Sequence, residues 1–285
     1  MRFVNKISIL IFMTCLVFVG QAFAVEKWTD EAEEPTDKDE KGFYLVSKPG
    51  QLAWFAKESI GKNVAYKIKL VADLDLKGKL WLPIATGYTG SGFSGQFDGD
   101  GHTIKNLYIR AEELLEEYTL LKKVNNVDKN CIVQNIGFIG INGGGSIKNL
   151  NLENIEIYAK NDQSGCGNEI SVGGLVGWKT TSVSDIENVV VSGQIYTSGK
   201  GQGVGGIVGN AHSSRISKSV SMVNITADGD EAFVGGIVGL VKNKEVKIDS
   251  CVYAGEDLES NGNGGARGAV VGKVYTAANN NGANA

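Results

Sequence analysis

The densest group of side chains able to do acid–base or metal chemistry in this 285-residue chain is the run Asp98-Gly99-Asp100-Gly101-His102, with Asp73 and Asp75 upstream. Paired carboxylates can act as general acid and base on a glycosidic bond, or hold Ca²⁺ beside a Lys or Arg base. Asp98, Asp100 and His102 are therefore the candidate catalytic residues. A plainer account competes and is favoured. Asp-Gly-Asp-Gly is turn chemistry, in which glycine supplies positive φ and aspartate caps its own backbone. Asp73 and Asp75 bracket Leu74, so strand alternation sets both on one side, where they could form a weak cation site. No resident metal or cofactor is expected, Ca²⁺ being the one ion these carboxylates would suit.

Other chemistries are set aside on residue type and spacing. The two histidines, His102 and His212, are far apart in sequence and make no two-His zinc motif. A serine or cysteine triad through either has no nucleophile-elbow pattern to support it. Glycines occur throughout, yet no strand–glycine–helix context follows them, so a nucleotide-binding loop is excluded. The repeats lack the Thr-x-Thr ladder that a flat ice-binding face would need.

The elements that would have to position these residues are written in a repeat. Val172-Gly173-Gly174-Leu175-Val176-Gly177 returns as Val204-Gly205-Gly206-Ile207-Val208-Gly209 and as Val234-Gly235-Gly236-Ile237-Val238-Gly239. A degraded copy ends at Gly272 and a partial one at Gly140, so the closing glycines are 37, 32, 30 and 33 residues apart. A period of this size marks a solenoid, whose units bury their apolar faces against neighbours. After each block comes a strand-like phrase beginning at Ile147, Ile186, Ile216 or Ile248, and a third short strand often follows. Helical periodicity is absent from these units. Leu175, Ile207, Ile237 and Val270 should form one aliphatic ladder, and Ile147, Ile186, Ile216 and Ile248 another. Asn149 and Asn188 fall at bends, where asparagine tolerates the left-handed conformation. The reading is an all-β, right-handed parallel β-helix, the hand following from the preference for right-handed crossovers.

The remaining segments fill in the domain plan. Residues 1–24 have a basic start, an apolar run and Ala22-Phe23-Ala24, and read as a signal peptide cleaved after Ala24. Residues 25–41 are acidic and poor in aliphatics, a flexible leader. Residues 42–109 hold the first coils and an amphipathic helix through QLAWFAKESIG, which should cover the open end of the stack. Trp54 and Phe55 there are core packing in preference to a sugar-stacking platform. Residues 110–135 form a charged insertion with Leu114, Leu115, Leu120 and Leu121 at helical spacing, a solvated excursion or a partner-binding element. Residues 136–275 carry the repeats, and 276–285 read as a disordered tail after a worn last coil with Arg267 and Ala269 in place of Val and Gly. The chain is either a complete protein or part of a longer array.

Charge and cysteine content narrow the partners. The net charge of −4 becomes −6 once Arg2 and Lys6 leave with the signal (26 basic against 32 acidic residues). With no basic run, nucleic acid and acidic membranes are poor partners, and no membrane insertion is expected after cleavage. Cys131, Cys166 and Cys251 remain, an odd number; Cys131 with Cys166 is the more plausible bridge, and Cys251 reads as a small buried hydrophobe.

The Val-Gly-Gly-Leu/Ile-Val-Gly blocks with their Ile-x-Asn phrases resemble the GLUG motif of bacterial surface and secreted proteins. QLAWFA, ADLDL, WLPI and FSGQFDGDGHTIKNLYI resemble the segment that often precedes such repeats. The resemblance covers about residues 43–109 and 136–275, and departs in the insertion and the eroded last repeat. It implies a β-helical protein outside the cell, often beside peptidase or adhesion modules. The motif carries no catalytic residues to transfer, and the repeat itself reads as structural at Gly173, Gly174, Leu175 and Gly177, at Gly205, Gly206, Ile207 and Gly209, and at Gly235, Gly236, Ile237 and Gly239. The functional expectation is an exported, non-catalytic module for adhesion or scaffolding, with an extracellular glycan or protein as ligand and its oligomeric state open. A carbohydrate-active β-helix enzyme, lyase or hydrolase and Ca²⁺-dependent in one form, is the alternative.

Overall fold

The computed structural model describes residues 25–87, 92–114, 135–161, 169–180 and 184–275. Among them, the strands fall into one sheet of 18 and one of 5, and every ladder between strands is parallel. Parallel neighbours cannot be joined by hairpins, so the chain must run round a whole coil before it pairs again. The fold is a parallel β-helix, as the repeats require.

Register follows the aliphatic pattern. Tyr44, Ile68, Phe97, Ile147, Ile186, Ile216 and Ile248 stand at equivalent positions of successive coils. Ile68 to Ile216 in that series are buried, and each such side chain contributes about 1.5–3 kcal/mol relative to exposure. Ile109, Ile157, Ile195, Ile225 and Leu258 form a second inward ladder. The backbone of the Leu175 ladder is likewise continuous: Leu175 N donates to Ile207 O at 3.1 Å, and Ile207 N to Ile237 O at 3.1 Å.

The glycine blocks are explained by space. Gly173, Gly205, Gly235 and Gly268 are register partners in the smaller sheet. A Cβ at Gly205 or Gly235 would lie 1.9 Å from the carbonyl oxygen of Val208 or Val238. The closing glycines meet the backbone across the interior: a Cβ on Gly239 would lie 2.3 Å from Val204 N. Only glycine lets the two layers approach this closely. The bends behave as expected, with Asn149 and Asn188 both at φ 54.

Helix α1 spans Pro49–Glu58, starting and ending slightly before the expected stretch. Pro49 suits the first turn, and Gln51 Oε1 accepts from the amides of Ser47 and Lys48 at 2.9 and 3.2 Å. Leu52 and Phe55 are fully buried, and Phe55 meets the Tyr44 ring edge-on at 5.4 Å, so α1 covers the first coil. Trp54 stays half-buried within the same aromatic group, 5.7 Å from Tyr66.

Two expectations are corrected. Residues 25–41 are not a flexible leader. Trp28 and Pro35 are buried, Trp28 Nε1 donates to Leu76 O at 2.8 Å, and Leu80 N donates to Glu26 O at 2.9 Å. One tryptophan and a short backbone pairing hold a segment whose average composition is that of an unfolded chain. Cys251 is half-buried, not fully, since among the described residues no coil stacks beyond its own; its thiol is free. The signal peptide, the tail, Cys131, Cys166 and most of the insertion lie outside the described residues. Of the insertion, Ala111–Leu114 forms a 3₁₀ turn with Ala111 and Leu114 buried.

Candidate functional site

The carboxylate group of the first coils sits on one corner of the stack. Asp98 ends the strand Gln96–Asp98, flanked in register by Lys69 on one coil and Lys148 on the other. The turn after it is as tight as its composition requires: Asp100 has φ 51, Gly101 has φ 85, and Asp98 Oδ1 accepts from Asp100 N at 3.0 Å. Asp98 Oδ2 pairs with Lys148 Nζ at 3.2 Å, and Asp100 Oδ2 with Lys69 Nζ at 3.0 Å. His102 Nδ1 meets Asp73 Oδ1 at 3.1 Å, and the same oxygen accepts from Thr103 N at 2.9 Å. Since a carboxylate only accepts, that ring nitrogen carries the proton.

The acids therefore have separate partners and do not converge. Among the described residues, no group of three or more His, Cys, Asp or Glu side chains could hold a metal ion. The pKa values of Asp73, Asp75 and Asp98 run opposite to that of a raised general acid. Asp73 is held below the ordinary carboxylate value by the Thr103 amide and by His102. Asn106 and the Lys77 amide do the same for Asp75. Burial pushes Asp98 up, but Asn149, the Asp100 amide and Lys148 together outweigh it, and its pKa lies below the usual value.

What the sequence did not show is why two of these aspartates stand where they do. Asn188 Nδ2 donates to Asn149 Oδ1 at 2.9 Å, and Asn149 Nδ2 to Asp98 Oδ1 at 3.1 Å. In parallel, Asn154 Nδ2 donates to Asn106 Oδ1 at 2.7 Å, and Asn106 Nδ2 to Asp75 Oδ1 at 2.8 Å. Each of these amides donates toward the N-terminal end of the stack, and Asn149 and Asn106 also accept from the next coil. Such a chain needs an acceptor at its first position, and an ionised aspartate supplies it. Asp98 and Asp75 are the terminal acceptors of two asparagine ladders.

A second polar group lies on the face that follows the glycine blocks. The His212 ring meets Trp178 edge-on at 5.9 Å, and Lys242 pairs with Glu169 nearby. Burial lowers the His212 pKa and Lys242 lowers it further, against a smaller opposite pull from Glu169, so the imidazole is kept neutral. Lys179, fully buried beside Trp178, is brought down to about 8 by burial, its Nζ donating to Thr180 O at 3.4 Å. Sequence reading noted His212 as isolated and missed Lys179, since one lysine in a strand gives no signal of its burial.

No family model matches the chain. It is 28% identical over 171 residues to halomucin from Haloquadratum walsbyi, a match that covers 55% of this chain and 2% of that protein. A crystal structure of a Bacteroides ovatus protein, provisionally assigned as an immunoglobulin A1 protease, aligns with 88% of this chain and 89% of its own. The TM-score is 0.33 and the identity 16%, a likeness too slight to bear on activity.

Proposed function

We propose that this protein is an exported, non-catalytic β-helix of the GLUG-motif kind that presents a repetitive surface for adhesion or for scaffolding other modules. One observation carries the reading. The carboxylates that would have to act on a glycan are each committed to a corner hydrogen bond or a lysine, and those of Asp73, Asp75 and Asp98 have pKa values lowered where a general acid needs one raised. Support for the motif comes from the glycine blocks, which occupy equivalent coil positions as a true repeat must. A relative named as a mucin fits a place outside the cell, as does the signal-like segment 1–24.

The test is to incubate protein beginning at Val25 with immobilised glycans and matrix proteins, with Ca²⁺ and with chelator, and to follow binding and product release together. Saturable binding without products is expected. Release of sugar or peptide fragments that Asp98→Ala or Asp100→Ala abolishes would overturn the reading. Export is checked separately by sequencing the N-terminus of secreted protein, which should begin at Val25.

A further inference from the structure

The strands Tyr108–Arg110, Ser146–Asn161 and Asp185–Gly199 lie side by side, and beside Tyr108–Arg110 their burial alternates, over 155–160 and 194–198. Ile109, Ile157 and Ile195 point inward and are buried. Their neighbours place an aromatic series on the outer face. Register sets Arg110 beside Tyr158, and Tyr158 beside Tyr196. Tyr108 and Tyr158 meet edge to face at 6.3 Å, and the Arg110 guanidinium lies 5.3 Å from the Tyr158 ring centre. Tyr196 is 41% exposed, and its hydroxyl is fixed on Asp228 Oδ2 at 2.7 Å. Tyr108 is half-buried against the core and Tyr158 is half-buried, so the series opens to solvent progressively toward Tyr196.

Two depressions flank this series. One of about 410 Å³ is bounded by Tyr108, Asn106, Asn154, Glu156 and Lys77. The other, of about 380 Å³, lies along Tyr158 and Tyr196 and is bounded by Arg110, Glu113 and Lys160. Each is large enough to seat a small ligand. In the second, Glu113 Oε1 meets Arg110 Nη1 at 3.5 Å, while its Oε2 is buried and has no hydrogen-bond partner among the described residues.

We propose that this tyrosine face is a cleft for a neutral, unbranched glycan chain; the proposal rests on reading the protein as a binding surface. Ring faces take the C–H side of a pyranose, and the surrounding groups include both donors and acceptors, which sugar hydroxyls can satisfy together. An apolar peptide would cover the Glu113 and Glu156 carboxylates without offering them a donor. Acidic and basic side chains alternate along the cleft, so neither a polyanion nor a polycation is favoured. Successive coils are about 4.8 Å apart, close to the length of one pyranose unit, so one sugar can fall on each coil.

The experiment titrates the protein with neutral hexasaccharides (cellohexaose, maltohexaose, mannohexaose and chitohexaose) and with a uronic-acid hexasaccharide, by calorimetry and tyrosine fluorescence, at low and high salt. Expected is saturable, salt-insensitive binding of at least one neutral chain. Tyr158→Ala or Tyr196→Ala should weaken it at least about tenfold, the effect of losing one stacked ring. Tyr158→Phe should retain binding, and an unchanged circular dichroism melt shows that the variants are folded. The proposal is overturned if no neutral chain binds at millimolar concentration, if the tyrosine variants bind as the parent does, or if the uronic-acid chain binds best and is displaced by salt. Binding of matrix proteins that the tyrosine variants leave intact would overturn the cleft and spare the adhesion reading. Product release would sink that reading and leave the cleft to be judged by the same titration.

Discussion

Asn149 does two jobs that one substitution each can separate. It holds a left-handed bend at φ 54, and it links Asn188 to Asp98 through its amide. Asn149→Gly keeps the bend and loses only the links, which should cost about 1 kcal/mol, whereas Asn149→Ala adds the left-handed strain and should cost about 2–3 kcal/mol. The difference between the two denaturation midpoints measures the strain. Lys179 is a second case. Its amine is at about 8 in the fold, so between that value and its ordinary one the unfolded chain binds more protons than the folded one. Stability should therefore rise with pH from about 8 to 10.5 on this account, and Lys179→Met should remove the rise and raise stability at pH 7. Urea melts at stepped pH check both. For Asp73, Asp75 and Asp98 the folded pKa lies below the unfolded one, so their contribution is present at neutral pH and is lost as pH falls below about 4.

At the scale of the element, the glycine block is the unit that fixes the coil. Gly205→Ala would drive a Cβ to within 1.9 Å of Val208 O, and the backbone there is pinned on both sides by parallel pairing. A loss of at least about 3 kcal/mol is expected. Gly78→Ala is the contrast: nothing lies within 4 Å, and only its φ of +67 opposes a side chain, at a cost of about 1–2 kcal/mol. Parallel melts of the two variants test whether space or conformation dominates in the blocks. This level was also the most legible in the sequence. The register of Ile147, Ile186, Ile216 and Ile248 and the bends at Asn149 and Asn188 follow from spacing and residue type alone. The role of Asp98 did not, because its partner Asn149 is 51 residues away and the coils between them are of unequal length. The leader misled for a different reason: a composition average cannot register a single Trp28 that finds a slot against Leu76. The tyrosine face was invisible because its rings are dispersed over three coils and only the register gathers them.

The whole molecule is a stack with unlike ends. At the first coil, Leu52 and Phe55 of α1 close the interior. At the last, Ile248, Leu258 and Val271 are only half-buried, and Val252, Val270 and Val274 are exposed at 53%, 42% and 47%. In a one-dimensional array each coil is stabilised by its neighbours, and among the described residues the last coil has one. Amide exchange should therefore be fastest across 252–274 and slow progressively toward 135–180, with the segment at α1 protected. Uniform protection along the stack would contradict that asymmetry.

The direction of the backbone hydrogen bonds has a mechanical consequence. Since all the strand ladders are parallel, the bonds between coils run along the stack and not around it. A pull between the two ends therefore loads the coil interfaces in series, each bearing the full tension, as links of a chain do. The link with the fewest buried side chains opens first, and among the described residues that is the coil ending at Tyr275. Under load the protein would lengthen one coil at a time from that end, the α1 end yielding last, and would reel in as the tension falls.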